Sequence, residues 1–190
     1  MVTLQKIKMP KRPAMPFPAV LVGAEVNGRP NYCTVGACGV VNLEPLLYVS
    51  LKETHYTTAG ITASGFFSVN LPSPDLAEKT DFCGVVSGKT TDKSHLFTPF
   101  YDESGRAPMI MECPVNMLCR VTQTIAVSGF TMFLGEITAV YADESCVTAG
   151  QIDPVKANPL VMMYPSYFQL GQAVGTVFKD GADYQKSLNL

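Results

Sequence analysis

The sequence predicts a mainly β chain, an antiparallel barrel decorated by a few short helices. Three observations point there. Short runs rich in β-branched residues recur at hairpin spacing, roughly seven of them against two or three short helical patterns. They do not alternate with helices as a β-α-β sheet requires. The phosphate fingerprint G-x-G-x-x-G of a dinucleotide-binding fold is absent, because Gly36-Ala37-Cys38-Gly39 lacks its spacing.

Taken in order, the first 18 residues hold Pro10, Pro13, Pro16 and Pro18. Proline lacks the donor a helix interior needs, so an extended lead-in is expected over 1–18. Residues 19–26 (AVLVGAEV) read as a strand. Asn27-Gly28 supplies the positive φ of a tight hairpin turn. Residues 31–41 (NYCTVGACGVV) resume as a strand, with Gly36 and Gly39 marking close backbone approach. Residues 42–45 form a turn. Residues 46–51 (LLYVSL) read as a fully buried strand from their unbroken apolar run. A short helix is expected over 57–64 with Ile61 toward the core and Gly65 at its end, followed by a strand over 66–71. Ser73 and Pro74 predict an N-cap and first turn for a helix reaching Cys83. Residues 85–97 read as a polar functional loop. Residues 108–115, 117–127 and 130–141 predict a meander of antiparallel strands. Residues 161–170 are apolar and aromatic, and 171–180 a loop or helical tail. The expected organisation is one domain over 19–180, with a tail over 181–190.

Charged residues make up 16% of the 190 residues and the formal net charge is −2. The charged fraction lies well below the usual value of about 25%, which excludes a disordered chain and a coiled coil. It also leaves apolar surface for a partner subunit or bound cofactor to cover. With 14 basic residues at that net charge, no electrostatic nucleic-acid binder is expected. No run nears the length of a membrane-spanning helix. The six cysteines, Cys33, Cys38, Cys83, Cys113, Cys119 and Cys146, form no C-x-x-C pair. The basic, proline-rich start lacks the apolar run of a secretory leader, so reduced thiols and a cytoplasmic location are expected. With only His55 and His95, histidine-based metal sites and triads are not expected.

Four clusters could carry chemistry. In Asn31-x-x-Thr34-x-x-Ala37-Cys38-Gly39, small and hydroxyl side chains let backbone groups approach a planar ligand; on spacing alone, a bulged barrel strand is the plainer reading. In Ser50-Leu51-Lys52-Glu53-Thr54-His55-Tyr56-Thr57-Thr58, a buried strand runs into hydroxyls, a lysine, a histidine and a helix start. A helix N-terminus offers free N–H groups and positive dipole, so Thr57 and Thr58 beside Lys52 or His55 suit a monophosphate. Ser87-Gly88-Lys89-Thr90-Thr91-Asp92-Lys93 contains G-K-T. Its leading glycine would fall on Cys83 and no strand precedes it, so it is no P-loop but a basic loop that can close over an anion. Tyr164-Pro165-Ser166-Tyr167-Phe168 can pack in the core or flank a flat ligand.

In this order the pieces resemble the flavin reductase-like, FMN-binding split-barrel family and its flavoredoxin branch. The resemblance rests on the proline-rich start, the Asn31-x-x-Thr34 strand, Pro45-Leu46-Leu47-Tyr48-Val49-Ser50-Leu51 and the Thr57 helix start. It continues through Ser64-Gly65-Phe66-Phe67-Ser68-Val69-Asn70-Leu71, Asp92-Lys93, Phe133-Leu134-Gly135-Glu136-Ile137, and Pro159-Leu160 leading to Tyr164. It implies a six-stranded antiparallel split barrel, a homodimer and FMN near the subunit interface. By position it implies that Asn31, Thr34, Ala37, Cys38 and Gly39 meet the flavin ring. Ser50, Leu51 and Lys52 would lie under the ring, and His55, Thr57 and Lys93 would serve the phosphate. Tyr164 and Tyr167 would flank the flavin, from this chain or its partner. Where family members often carry a shielding aromatic this chain has Ala37 and Cys38, and it has no Trp.

The resemblance implies an oxidoreductase whose flavin carries the chemistry, with no separate catalytic residue. It would take a hydride from NADH or NADPH, or electrons from a protein donor. Acceptors would be free flavin, ferric iron or a redox protein. An electron carrier without nicotinamide activity, or a non-catalytic FMN-binding protein on the same scaffold, are the alternatives.

Overall fold

A computed structural model describes residues 5–42 and 44–188. Residues 1–4 of the expected lead-in, Leu43 of the expected turn and residues 189–190 of the expected tail lie outside them.

The first strands form where apolar residues alternate and a turn permits reversal. β1 is Phe17–Pro18, β2 is Val20–Val26 and β3 is Arg29–Val35. Asn27 and Gly28 join β2 to β3 with φ of 53° and 72°, the double positive φ a two-residue hairpin turn requires. The expected strand over 31–41 is two strands. It breaks at Gly36, where a Cβ would stand 2.6 Å from the Met162 methyl, and resumes as β4, Cys38–Val40. β5 is Leu46–Lys52. It is not buried on both faces as its apolar run suggested. Leu47, Val49 and Leu51 point inward, whereas Leu46, Tyr48 and Ser50 are half-buried on the outside. The sheet curls round one core, so only one face of each strand is fully covered.

Helix α1, Tyr56–Ser64, ends at Gly65 with φ 71°, whose N–H returns to the Ile61 carbonyl. This is the left-handed stop that glycine tolerates best. β6 is Phe66–Leu71. The helix expected after Ser73 opens as a single 3₁₀ turn, Pro74–Leu76, before α2, Ala77–Val85; Ser73 makes no side-chain capping bond. Of the strand expected over 108–115 only Met109–Ile110 forms (β8), paired with β7, Pro99–Phe100. Side chains replace the ladder there: Ile110 N–H donates to Asn70 Oδ1 (3.1 Å) and Asn116 Nδ2 donates to the Ile110 carbonyl (2.8 Å). β9, Val115–Val127, and β10, Phe130–Ala142, form a long hairpin turned by Ser128 and Gly129 at φ 47° and 80°. β11 (Val147–Thr148), β12 (Gln151–Ile152) and α3 (Pro154–Ala157) lead to β13, Val161–Met163, and β14, Ser166–Phe168. The region expected to be a tail carries α4, Lys179–Ser187.

The principal sheet has the order β3-β2-β6-β9-β10-β5-β4, antiparallel throughout. The chain passes from one end of this order, β3, directly to the other, β4, and the Ser50 N–H donates to the Ala37 carbonyl at that passage. The curled sheet encloses Val22, Val35, Val49, Phe67, Val69 and Phe133, with Ile61 of α1 as a plug. Burial of each such side chain contributes roughly 1.5–3 kcal/mol. Six strands supply the fully buried positions; β4 adds only the half-buried Cys38. The fold is a split barrel with few helices, as the sequence predicts. A second cluster, with Tyr32, Cys83 and Phe97, fixes α2 and the following loop on the outside of β2 and β3. No helix among the described residues is long and apolar enough to cross a membrane.

Candidate functional site

At one end of the barrel, the start of α1 faces the loop after α2. Strand parity decides what enters the gap. Cys33 and Val35 point into the barrel, so Asn31, two residues earlier, points the same way near the end of the strand. Its Nδ2 donates to the buried Thr57 Oγ1 at 2.7 Å. The β5–α1 corner is tied by Thr58 Oγ1 donating to the Lys52 carbonyl (2.8 Å) and by the His55 N–H donating to the same carbonyl (3.0 Å). His55 is the N-cap of α1 but makes no side-chain cap. The Thr58 N–H donates to the His55 carbonyl (3.2 Å), and the N–H groups of Tyr56 and Thr57 keep their affinity for an outside acceptor.

The loop supplies the opposite wall. Ser87 accepts at its carbonyl from the N–H groups of Thr90 and Thr91, and Lys89 N–H donates to Ser87 Oγ. Lys93 turns back under the C-terminus of α2. Its Nζ donates to the carbonyls of Cys83 (3.3 Å) and Val86 (3.2 Å). The negative end of the helix dipole favours a cation in that place. The side chain is 3% exposed. Asp92, next to it, pairs with Arg29 at 3.3 Å instead. Among the described residues, Lys52, Lys89 and Lys93 make no ion pair with a carboxylate.

The result is a hollow of about 110 Å³ that runs into a second of about 210 Å³; Asn31, Tyr56, Gly88 and Lys93 border both. Gly88 is where the loop comes closest. A Cβ there would overlap Asn31 Oδ1 and stand 2.6 Å from the Tyr56 ring. The electrostatic field is one-sided. Burial, then Lys52, Lys93 and Lys89, hold His55 below the ordinary imidazole pKa. The Cys33 Sγ lies on the floor, 3.6 Å from His55 Nδ1. A helix start, a buried hydroxyl and a buried ammonium with no counter-ion form a receptor for an oxyanion.

Of the residues singled out from the sequence, Asn31, His55, Thr57 and Lys93 border this hollow. The others lie elsewhere. The Thr34 hydroxyl donates to the Thr80 carbonyl under α2. Ala37 accepts from Ser50 in the sheet. Burial pushes the Cys38 thiol up to about 12, and Gly39 packs on the Tyr48 ring. Leu51 is a core residue, so only its backbone could meet a ligand. Lys52 is exposed on the rim. Tyr167 donates to Asp81 at 2.9 Å on the far side of α2, and Tyr164 is 76% exposed beside Arg12 and Phe17. Sequence reasoning missed Cys33 and Cys83. Cys33 had a signal: it shares the inward parity of Asn31. Cys83 had none, because its place depends on how α2 docks.

A model of the flavin reductase like domain matches residues 12–171. A flavoredoxin from Methanosarcina acetivorans superposes with TM-score 0.90 at 40% identity, covering 95% of this chain and all of that one. The flavoredoxin of Desulfovibrio vulgaris gives 0.87 at 30% identity, over 93% of this chain and all of that one. A protein of Archaeoglobus fulgidus is 30% identical over 115 residues, 59% of this chain and 65% of that one, less than two thirds of its length. The barrel, the ordered motifs and a domain match over most of this chain's length agree, and the chain belongs to the flavin reductase-like family.

Proposed function

We propose that the protein is an FMN-binding oxidoreductase of the flavoredoxin type, with the phosphate end of FMN held in the hollow between α1 and the 86–93 loop. One observation carries this reading: Lys93 is buried, has no carboxylate partner among the described residues and borders the same hollow as Thr57 at the α1 N-terminus. A buried cation is expensive unless an anion joins it. A phosphate offers the charge and the several acceptors that Thr57, His55, Lys93 and the helix N–H groups need. When bound, the flavin supplies hydride and single-electron chemistry. The chain's part is to bind and orient. Asn31 fixes the Thr57 hydroxyl, the α2 C-terminus fixes Lys93, and the exposed Lys52 adds positive charge at the rim.

The purified protein is expected to be yellow, with a flavin absorption band that bleaches under NADH or NADPH. A second reading draws on the 40% identical relative being a flavoredoxin: electrons arrive from a redox protein and nicotinamide is not used. Bleaching by a reduced protein donor but not by NADH or NADPH selects it. A colourless protein that takes up no added FMN refutes both.

The same reading includes a homodimer. Residues 161–178 leave Tyr164, Phe168, Val174, Val177 and Phe178 exposed, and the 5–16 segment leaves Ile7, Met9 and Met15 exposed. These exposed apolar side chains, set among basic residues in the first segment, suit contact with a second copy. Sedimentation equilibrium at twice the chain mass of 20.5 kDa supports the dimer, and a monomer at micromolar concentration rejects it.

A further inference from the structure

Two features outside the hollow complement each other in shape and charge. The first is a groove of about 610 Å³ between α2 and the β13–β14 hairpin. It is lined by Phe82, Val85, Glu78 and Asp81 of α2 and by Pro165 and Tyr167 of the hairpin. The spacing 78, 81, 82 and 85 sets the four α2 residues on one helix face. Phe82 and Val85 are 39% and 76% exposed there. Asp81 accepts from the Tyr167 hydroxyl. Among the described residues no cation lines the groove, and neither carboxylate is in an ion pair. The second feature is the segment 5–16, exposed along its whole length. It carries Lys6, Lys8, Lys11 and Arg12 and no carboxylate. None of these cations is in an ion pair among the described residues. Ile7, Pro10, Pro13 and Pro16 recur at every third position. An extended proline helix has three residues per turn, so these four form one apolar ridge. Lys8 and Lys11 run along one side of it, and Lys6 and Arg12 along the other.

We propose that the α2 groove receives the proline-rich segment 5–16 of a second copy of this chain. The inference rests on the homodimer reading and says how the two copies hold each other. The ridge meets the apolar and aromatic side chains, as proline-rich segments do in aromatic-lined grooves. Proline also lowers the entropy lost when the segment is fixed. In the single chain the segment bends where the Arg12 N–H donates to the Pro10 carbonyl, and docking gives up that one bond. The flanking cations meet Glu78 and Asp81. Exposed ion pairs add little affinity each, but they select which segment enters and in which direction. The segment's own root lies on the wrong side of the hairpin to fill its own groove. Phe17 pairs with Met162 of β13, and the order β1-β13-β14 puts β13 between that root and Tyr167. Residues 12–14 run beside Met163 and Tyr164 instead. Two copies related by a two-fold axis exchange segments symmetrically, and the assembly closes as a dimer. Val85 borders both the groove and the hollow, so the exchanged segment lies next to the anion site.

The test treats the full chain with a water-soluble carbodiimide, which joins a lysine ammonium to a carboxylate in contact, and separates the products by mass. The species at twice the chain mass of 20.5 kDa should yield peptides in which Lys6, Lys8 or Lys11 is joined to Glu78 or Asp81. Lys8→Glu combined with Lys11→Glu changes only exposed side chains. It should abolish the links made by those two lysines and raise the dimer dissociation constant about tenfold in sedimentation equilibrium. Adding Glu78→Lys to that variant should recover most of the loss, a rescue that a general loss of stability does not produce. Links confined to the single-chain species show the segment folded onto its own groove and overturn the proposal. A dimer whose cross-linked form lacks these links overturns it and leaves the homodimer reading standing. So does a dissociation constant that the charge reversal does not move, or that the charge swap does not recover. A monomer at micromolar concentration refutes the homodimer reading, and the proposal with it.

Discussion

Replacing Lys93 by methionine separates binding from folding more sharply than any other change in this protein. Methionine keeps most of the apolar stem that fills the space under α2 and removes the ammonium. In the folded protein the ammonium gains two carbonyl contacts, to Cys83 and Val86, and loses its hydration. These nearly cancel, because a buried cation without a counter-ion is a poor source of stability. Two carbonyls left without donors cost about 1 kcal/mol each, offset by the desolvation that is relieved. The net change in stability of the flavin-free protein should therefore be within about 1 kcal/mol. Binding is different. A unit charge about 4 Å from a phosphate charge is worth about 4 kcal/mol at an effective dielectric constant of 20. Part of that offsets the competing carbonyl contacts, which leaves about 2–3 kcal/mol, or roughly 30- to 150-fold in Kd. Quenching of FMN fluorescence gives the affinity, and urea unfolding followed by circular dichroism gives the stability. An FMN affinity changed by less than about threefold, with a stability loss of several kcal/mol, would falsify the assignment. Lys93 would then be a structural tie.

Three other outcomes follow from the same geometry. Thr57→Ala removes an acceptor from Asn31 and a donor to the anion; FMN binding should weaken by about 1–2 kcal/mol, and Thr57→Ser should restore most of it. Gly88→Ala places a methyl group against Asn31 and the Tyr56 ring, so the loop must shift; about 1–3 kcal/mol of overpacking should appear as weaker FMN binding in calorimetry. His55 gives a pH signature. Its pKa is lower folded than unfolded, so below about pH 6.5 the unfolded chain binds a proton that the folded chain refuses. The stability of flavin-free protein should be fully present above that pH and fall as pH drops through it. Urea midpoints across this window should show the slope in the natural protein, a flatter one with FMN, and none from this group in His55→Gln. An identical slope in that variant contradicts the lysine-crowded setting of His55.

Much of the fold was legible because its signals are local. Asn27-Gly28 dictates a hairpin whatever surrounds it, and Gly65 stops α1 by its own φ. The β8 region was not legible in the same way. Its residues favour a strand, yet the side chains of Asn70 and Asn116 take the Ile110 backbone groups that a ladder would use. Those partners are distant in sequence. At the site, residue chemistry marked Thr57, His55 and Lys93 as suited to an anion, and the structure gathers them with Asn31 round one hollow. What the chemistry did not reveal is direction. Leu51 lies next to the polar stretch but its parity sends it into the core. Tyr167 is aromatic and near the expected ligand region in sequence, but its hydroxyl belongs to Asp81. The cation could be read from the sequence; its support by the C-terminus of α2 could not, because it depends on how that helix docks on β3.

If the hollow binds the phosphate of FMN, the protein must tell FMN from riboflavin. Parallel titrations of flavin-stripped protein with FMN and with riboflavin, which lacks only the phosphate, test it most directly. FMN should bind at least about 100-fold more tightly, the worth of two charge-assisted contacts less the cost of desolvation. Equal affinities for the two flavins would place the phosphate in solvent, outside the hollow.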